Sequence, residues 1–198
     1  MQLAKSGFMQ KVLILNRAAD DERLHDKLVE QGYAVSGVIV DTHRLQGEVG
    51  RLKPDVIIVS TDAPDEALFV SLAAVAYACP RPVLMFAKEG TRELIRRAVA
   101  SGVSAYVVDG WAADRLTPII EAAIARFDAY EALRKELAST QVKLTERKLV
   151  ERAKGIVMQQ RRLTEEQAYS ALRKMAMDQN LALGEVARRV ITVAQLLA

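Results

Sequence analysis

Cysteine is almost absent from this chain: Cys79 stands alone, so no disulfide can form within it and no thiolate pair can hold a metal. That usage fits a reducing compartment. Cys79 itself, among apolar residues before Pro80, reads as a small buried hydrophobe and not as a nucleophile. Long apolar runs are missing too. Nothing approaches the roughly 18 residues that a membrane helix requires, and residues 1–8 lack the apolar centre of a secretory signal, so a soluble cytoplasmic protein is expected. There is no glycine-rich phosphate loop and no nucleophile elbow, and neither His25 nor His43 has a second ligand at metal spacing. The expectation is a protein without catalysis, cofactor or metal, its histidines in solvated or capping roles.

Proline and glycine thin out towards the carboxyl end. All five prolines and eight of the ten glycines precede residue 119, so the remainder is composed for uninterrupted helix. Charge divides near the same point: residues 130–198 hold 13 Lys/Arg against 8 Asp/Glu, whereas residues 1–129 hold 15 against 17. With 198 residues, 51% of them apolar, the chain can build one substantial core plus a smaller module. The expected division is a head over 9–127, a coiled-coil linker helix over 128–148 and a basic tail over 149–198.

Within the head, KVLIL, AVSGVIV, DVIIVS, PVLMFA and AYVV are short β-branched runs separated by amphipathic stretches such as residues 20–31 and 91–101. Alternation of this kind predicts a five-stranded parallel sheet with helices on both faces, α/β and flavodoxin-like in size. In such sheets functional groups collect beyond the carboxyl ends of the strands, here after Leu15, Val59, Phe86 and Val108.

Through KPDVIIVSTDAP, RPVLMF and SGVSAYVVDGW the head resembles a response-regulator receiver domain, matching its third, fourth and fifth strands in spacing. The resemblance implies acids after strand one to hold Mg²⁺, an aspartate ending strand three as phosphoryl acceptor, Thr or Ser after strand four and Lys after strand five. This chain departs at all four stations. Asn16 and Arg17, Ser60, Ala87 and Asp109 stand there, with Asp20 and Asp21 displaced into a helix start. A hydroxyl without a base is a poor phosphoryl acceptor, and a pocket facing the Arg17 cation instead of paired carboxylates does not concentrate Mg²⁺. A pseudo-receiver without a phosphoacceptor is expected. Asp62 is the competitor, one pleat beyond Ser60 on the same side; its other reading is a loop or capping aspartate before Pro64.

Past residue 128, Tyr130, Leu133, Leu137, Thr140 and Leu144 recur at steps of three and four, a short heptad seam that Thr140 weakens at its centre. Either two chains zip along it or the helix packs back on its own head. From Leu149 the apolar register shifts. Thr164 with Gln167 forms a capping box for a second helix, Asn180 and Leu181 end it, and a third helix runs to the terminus. Ile156, Ala168, Leu172, Met175, Leu183, Val186, Val190, Val193 and Leu197 are the expected core of this all-α three-helix unit.

The tail reads AKGIVM over 153–158, EQAY over 166–169, LR at 172–173 and LGEVA over 183–187, and in these it resembles the ANTAR domain, an RNA-binding antitermination module. Receiver, coiled coil and ANTAR together are similar to the AmiR/NasT antiterminators, and GVSAYVVDGW leans towards the NasT type of nitrate assimilation. The resemblance implies a homodimer that binds paired hairpins in leader mRNA, holds the antiterminator form and lets polymerase pass. Because the head is a pseudo-receiver, it also implies control by a ligand-sensing partner protein of the nitrate/nitrite- or amide-binding type.

Lys154, Gly155, Gln159, Arg161, Tyr169, Arg173, Lys174 and Arg188 are the RNA-binding candidates. Lys and Arg attract phosphate, while Arg, Gln and Tyr can read unstacked loop bases. Arg162 reads as a bystander. Glycine at 155 costs about 1 kcal/mol inside a helix, which close approach of RNA or of a neighbouring helix would explain equally well. DNA recognition is the other reading, because LTEEQAYSALRKMAMDQNLALGEVARRV scans as helix-turn-helix; against it, residues 178–182 lack a glycine and the last helix turns apolar. A third reading is a pure protein-interaction module.

Overall fold

The computed structural model describes residues 9–18 and 23–196, in two compact units divided between Glu131 and Ala132. The first unit runs β1 (Lys11–Asn16), α1 (Arg23–Glu30), β2 (Ala34–Ile39), a short 3-10 turn (Thr42–Arg44), α2 (Leu45–Leu52), β3 (Val56–Thr61), α3 (Glu66–Ala78), β4 (Val83–Ala87), α4 (Arg92–Ala100) and β5 (Ala105–Val108), and α5 (Leu116–Arg161) begins in it. The five strands are parallel, in the order β2-β1-β3-β4-β5, which is the expected flavodoxin-like sheet. The order reverses at β1 and β3, where sheets of this class open a crevice.

Side chains alternate across a strand, and the two sets close two cores. Leu13, Leu15, Ile57, Val59 and Met85 meet Leu45 and Val49 of α2, Leu68 and Leu72 of α3 and Ala98 of α4. Val12, Ile14, Val56, Ile58 and Leu84 meet Leu24 and Leu28 of α1 and Leu116, Ile120 and Ala123 of α5. Fully burying one such aliphatic side chain stabilises by about 1.5–3 kcal/mol relative to exposure, so the covered sheet dominates the energetics of the head. β3 is buried along its whole length, as a central strand between two helical layers must be. Between α4 and β5, Gly102 has a φ of +95°, and a Cβ there would sit 2.7 Å from that of Ala76, so the turn admits glycine only.

Helix α5 runs unbroken through the expected junctions at 127/128 and 148/149. Pro118 falls in its first turn, where a missing N–H removes no intrahelical bond, and no further proline or glycine occurs before Gly155. Every residue from 132 to 148 is exposed, Leu133, Leu137 and Leu144 included.

In the second unit the end of α5 joins α6 (Glu165–Asp178) and α7 (Leu183–Leu196). Arg162, with a φ of 53°, makes the left-handed residue that ends α5. The capping box is present: Thr164 Oγ1 accepts the Gln167 N–H, and Gln167 Oε1 accepts the Thr164 N–H. Asn180 is left-handed (φ 52°), with its N–H donating to Met177 O at 3.2 Å and the Leu181 N–H to Ala176 O at 2.9 Å, the two bonds of a Schellman ending. Asn180 therefore does a glycine's work, and the absence of glycine from 178–182 no longer counts against a helix-turn-helix turn.

The small core is built from Ala153, Val157, Ala168, Leu172, Ala176, Val186, Ala187 and Ile191, with Ile156, Met175, Leu183 and Val190 packed at its edge. Val193, expected inside, is 54% exposed because α7 turns Ala187 and Ile191 inwards instead, one helical step from each other. Leu197, Asp20 and Asp21 lie outside the described residues. Among the described residues no helix is long and apolar enough to cross a membrane.

Candidate functional site

The sheet brings three of the four altered stations to one cavity. Its register sets Asn16 beside Ser60, Ser60 beside Phe86, Thr61 beside Ala87, and Ala87 beside Val108. Beyond these strand ends lies a space of about 380 Å³ lined by Ser60, Thr61, Ala87 and Asp109, by Arg23 and Lys27 of α1, by Lys88, and by Phe86 and Trp111. Ser60 and Thr61 form a buried polar floor, each 4% exposed. Asp109 and Gly110 are consecutive left-handed residues (φ 67° and 79°), and the bend they make leads the chain to Trp111, whose ring packs on the α1/α5 core.

Arg17 does not face this cavity, contrary to expectation. Its backbone N–H donates to Ser60 O at 2.7 Å, and its guanidinium donates to both carboxylate oxygens of Asp65, at 2.9 and 2.7 Å. Asp65 is already held as the N-cap of α3, accepting the Leu68 N–H at 2.9 Å, so it offers a fixed bidentate target. The Arg17 hydrogen bonds, then that of Leu68, bring the Asp65 carboxyl down to about 2.

The cations that do line the cavity are Arg23, Lys27 and Lys88, which strand-end reasoning missed because two sit on a helix face and one in a loop. Lys27 pairs with Glu30 at 2.5 Å and Lys88 with Asp62 at 2.8 Å. Asp62 thus has a cationic partner, and its carbonyl accepts the N–H groups of Lys88 and Glu89, tying the end of β3 to the loop after β4. The cap before α3 is Asp65, not Asp62.

On the tail, Gly155, Gln159, Arg161, Tyr169, Arg173, Lys174 and Arg188 are exposed. Tyr169 and Arg173 stand four residues apart on α6 and Gly155 and Gln159 four apart on α5, so each pair shares a helix face. Arg152 lies three residues before Gly155 on that same exposed face and escaped the sequence reading.

Lys154 departs from the set. It is only 8% exposed, and its ammonium donates to Glu151 and to Glu165, at 3.0 and 2.7 Å. Those two hydrogen bonds, Glu151's first, raise the Lys154 pKa and hold the charge at home, while Lys154 in turn lowers that of Glu165. Its geometry makes it a tie between α5 and the first residue of α6. Lys154 is buried while its neighbour Gly155 is exposed. A Cβ on Gly155 would meet nothing within 4 Å, whereas one on Gly184 would come within 3.2 Å of the Glu146 side chain. Close helix approach inside the tail therefore explains Gly184 and not Gly155.

The ANTAR domain model matches residues 138–191, starting inside α5 and ahead of the expected tail boundary. The transcriptional regulatory protein PdtaR of Mycobacterium tuberculosis is 31% identical over 193 residues, spanning 95% of this chain and 92% of that protein. A nitrate regulatory protein of Klebsiella oxytoca is 51% identical over 61 residues, 31% of this chain and 15% of its own length. Among solved structures, the signal receiver domain of a modulated diguanylate cyclase from Desulfovibrio desulfuricans G20 aligns with a TM-score of 0.52 and 25% identity, over 62% of this chain and 99% of that one. The chemotaxis protein CheY4 of Vibrio cholerae aligns with a TM-score of 0.51 and 22% identity, over 59% and 99%, and shares the fold. A likeness to PdtaR that spans nearly the whole of both chains, joined to the domain match, places this chain in the family of ANTAR-domain transcriptional regulatory proteins with a response-regulator receiver fold.

Proposed function

We propose that this protein is an RNA-binding antitermination regulator, whose tail binds paired hairpins in a leader mRNA and keeps the terminator from forming. The observation that carries this reading is the coincidence of the ANTAR match with a three-helix unit on whose exterior Arg161, Arg173, Lys174, Arg188, Tyr169 and Gln159 are all exposed. Cations there neutralise phosphates, and the tyrosine and glutamine are suited to splayed loop bases. Lys154 serves this surface indirectly, by fixing the start of α6.

The exposed seam of Tyr130, Leu133, Leu137 and Leu144 supports a homodimer. Joining two tails turns the second hairpin contact into an intramolecular event and raises avidity without new contacts. The protein acts by binding and without catalysis, in the cytoplasm. The head receives its input without phosphorylation, since Ser60 replaces the acceptor aspartate, Ala87 the hydroxyl after strand four and Asp109 the lysine after strand five. A ligand-sensing partner, of the nitrate/nitrite- or amide-binding type, holds the regulator inactive; the nitrate regulatory relative favours the former.

The test is salt-dependent binding of wild type and an Arg173→Ala variant to twin-hairpin leader RNA and to duplex DNA of the same sequence. RNA should win, and the variant should reduce the slope of log affinity against log salt by about 0.7–0.9. Preference for the duplex would favour DNA recognition and reject the proposal.

A further inference from the structure

The cavity in the head is better furnished for a ligand than for a covalent phosphate. Its volume of about 380 Å³ lies in the usual range of small-molecule sites, roughly 300–1,000 Å³. Such sites combine apolar walls with a few converging polar groups, and this one has both: Phe86 and Trp111 among its apolar lining residues, Ser60, Thr61 and three cations among its polar ones. Among the described lining residues three are cations, Arg23, Lys27 and Lys88, against one carboxylate, Asp109.

The cations already have neighbours of opposite charge, Glu30 for Lys27 and Asp62 for Lys88. Glu30 is 60% exposed, so its pair with Lys27 is weak and an incoming anion can displace it; the Asp62 oxygen that Lys88 touches is buried, so an anion there shares Lys88 with Asp62 instead of releasing it. Thr61 Oγ1 spends its proton on Ala63 O at 3.2 Å and still has lone pairs to offer. The left-handed pair Asp109 and Gly110 holds the loop that carries Trp111 in a backbone form that ordinary residues avoid, as is common beside ligand sites.

We infer that this cavity binds, without forming a covalent bond, a small organic anion: a planar ring that lies against Trp111 and carries a phosphate or carboxylate held by Lys88 and Arg23. It concerns the head alone and does not depend on the tail's binding RNA. Occupancy there gives the head a chemical input at the position where phosphorylation is missing.

Trp111 is the single tryptophan of the chain, so its emission reports on this cavity without interference. The full chain is titrated with adenosine monophosphate and with nicotinate, and with their uncharged counterparts adenosine and nicotinamide. One of the two anions should shift Trp111 emission saturably, and the response identifies whether phosphate or carboxylate is preferred. Its neutral counterpart should bind at least about tenfold more weakly, and Lys88→Met and Arg23→Met should each weaken the anion about tenfold, as loss of one charge-assisted contact implies. Circular dichroism confirms that the variants remain folded, and calorimetry of the wild type gives the stoichiometry directly. No saturable response to either anion up to about 10 mM, the weak edge of specific binding, overturns the inference. So does an equal response to the neutral compounds, or affinity unchanged in both variants.

Discussion

Arg17 and Asp65, forty-eight residues apart in sequence, are joined by two parallel hydrogen bonds of 2.9 and 2.7 Å, and Asp65 is at the same time the cap of α3. The pair pins the loop after β1 to the start of α3. It also removes the Arg17 charge from the cavity, where the sequence had placed it.

The pair makes the head's stability depend on acid. Asp65 is held at about 2 in the folded chain against 3.8 ordinarily, so its contribution is complete above pH 4 and disappears as pH falls towards 2. Half-exposed, it is screened to about 1 kcal/mol or less. Arg17→Met should therefore lower the stability of the head by that amount at pH 6 and by almost nothing at pH 2. Urea unfolding followed at Trp111 measures both, and an equal loss at the two values would remove the pair as cause.

Lys154 is a structural tie in this structure, so Lys154→Ala should lower the thermal midpoint of the tail, whereas Arg173→Ala should leave it almost unchanged. Glu165→Gln should reproduce part of the Lys154 effect, and the double variant should lose less than the two added together. Protonating Glu165 breaks the tie as well: its pKa is lowered by Lys154, so the benefit is present at neutral pH and lost in acid. Helical ellipticity against temperature decides; strict additivity would separate the two residues.

Gly155→Ala should stabilise the tail by about 0.5–1 kcal/mol, since the new methyl meets open space and helix propensity alone acts. Gly184→Ala should gain less, because Glu146 must yield a few tenths of an ångström. If RNA approaches the backbone at 155, the stabilised Gly155→Ala chain should bind leader RNA more weakly. Urea unfolding and RNA retention on the same preparations check the two effects, and unimpaired retention would leave the glycine without an RNA role.

Leu137→Lys places a charge in the middle of the exposed seam and should shift sedimentation from dimer to monomer. Binding to a two-hairpin RNA should then fall by 10²-fold or so through lost avidity, with single-hairpin binding little changed. A wild-type chain that stays monomeric on its RNA would exclude the seam as the device.

What was legible in the sequence follows from local rules. β-branched runs of four to seven residues, separated by amphipathic stretches, identified all five strands, and the capping box of Thr164 and Gln167 is a signal confined to four residues. Helix α5 runs straight through the change of apolar register at Leu149, because a shift of the buried face gives the backbone no reason to stop there. A glycine-free turn was misjudged: Asn180 tolerates the left-handed form almost as glycine does.

Sequence by itself determined the elements, their order and the residue types at the strand ends, because periodicity and capping depend on neighbours a few positions apart. Which charges remain available was decided only by tertiary structure. Arg17 found Asp65, Lys88 found Asp62 and Lys154 found Glu151 and Glu165, while Arg173 and Arg188 remained in solvent. An ionic side chain acts through whatever lies within a few ångströms of its tip, and for Arg17 with Asp65 and Lys88 with Asp62 that proximity is created by packing elements that are far apart along the chain.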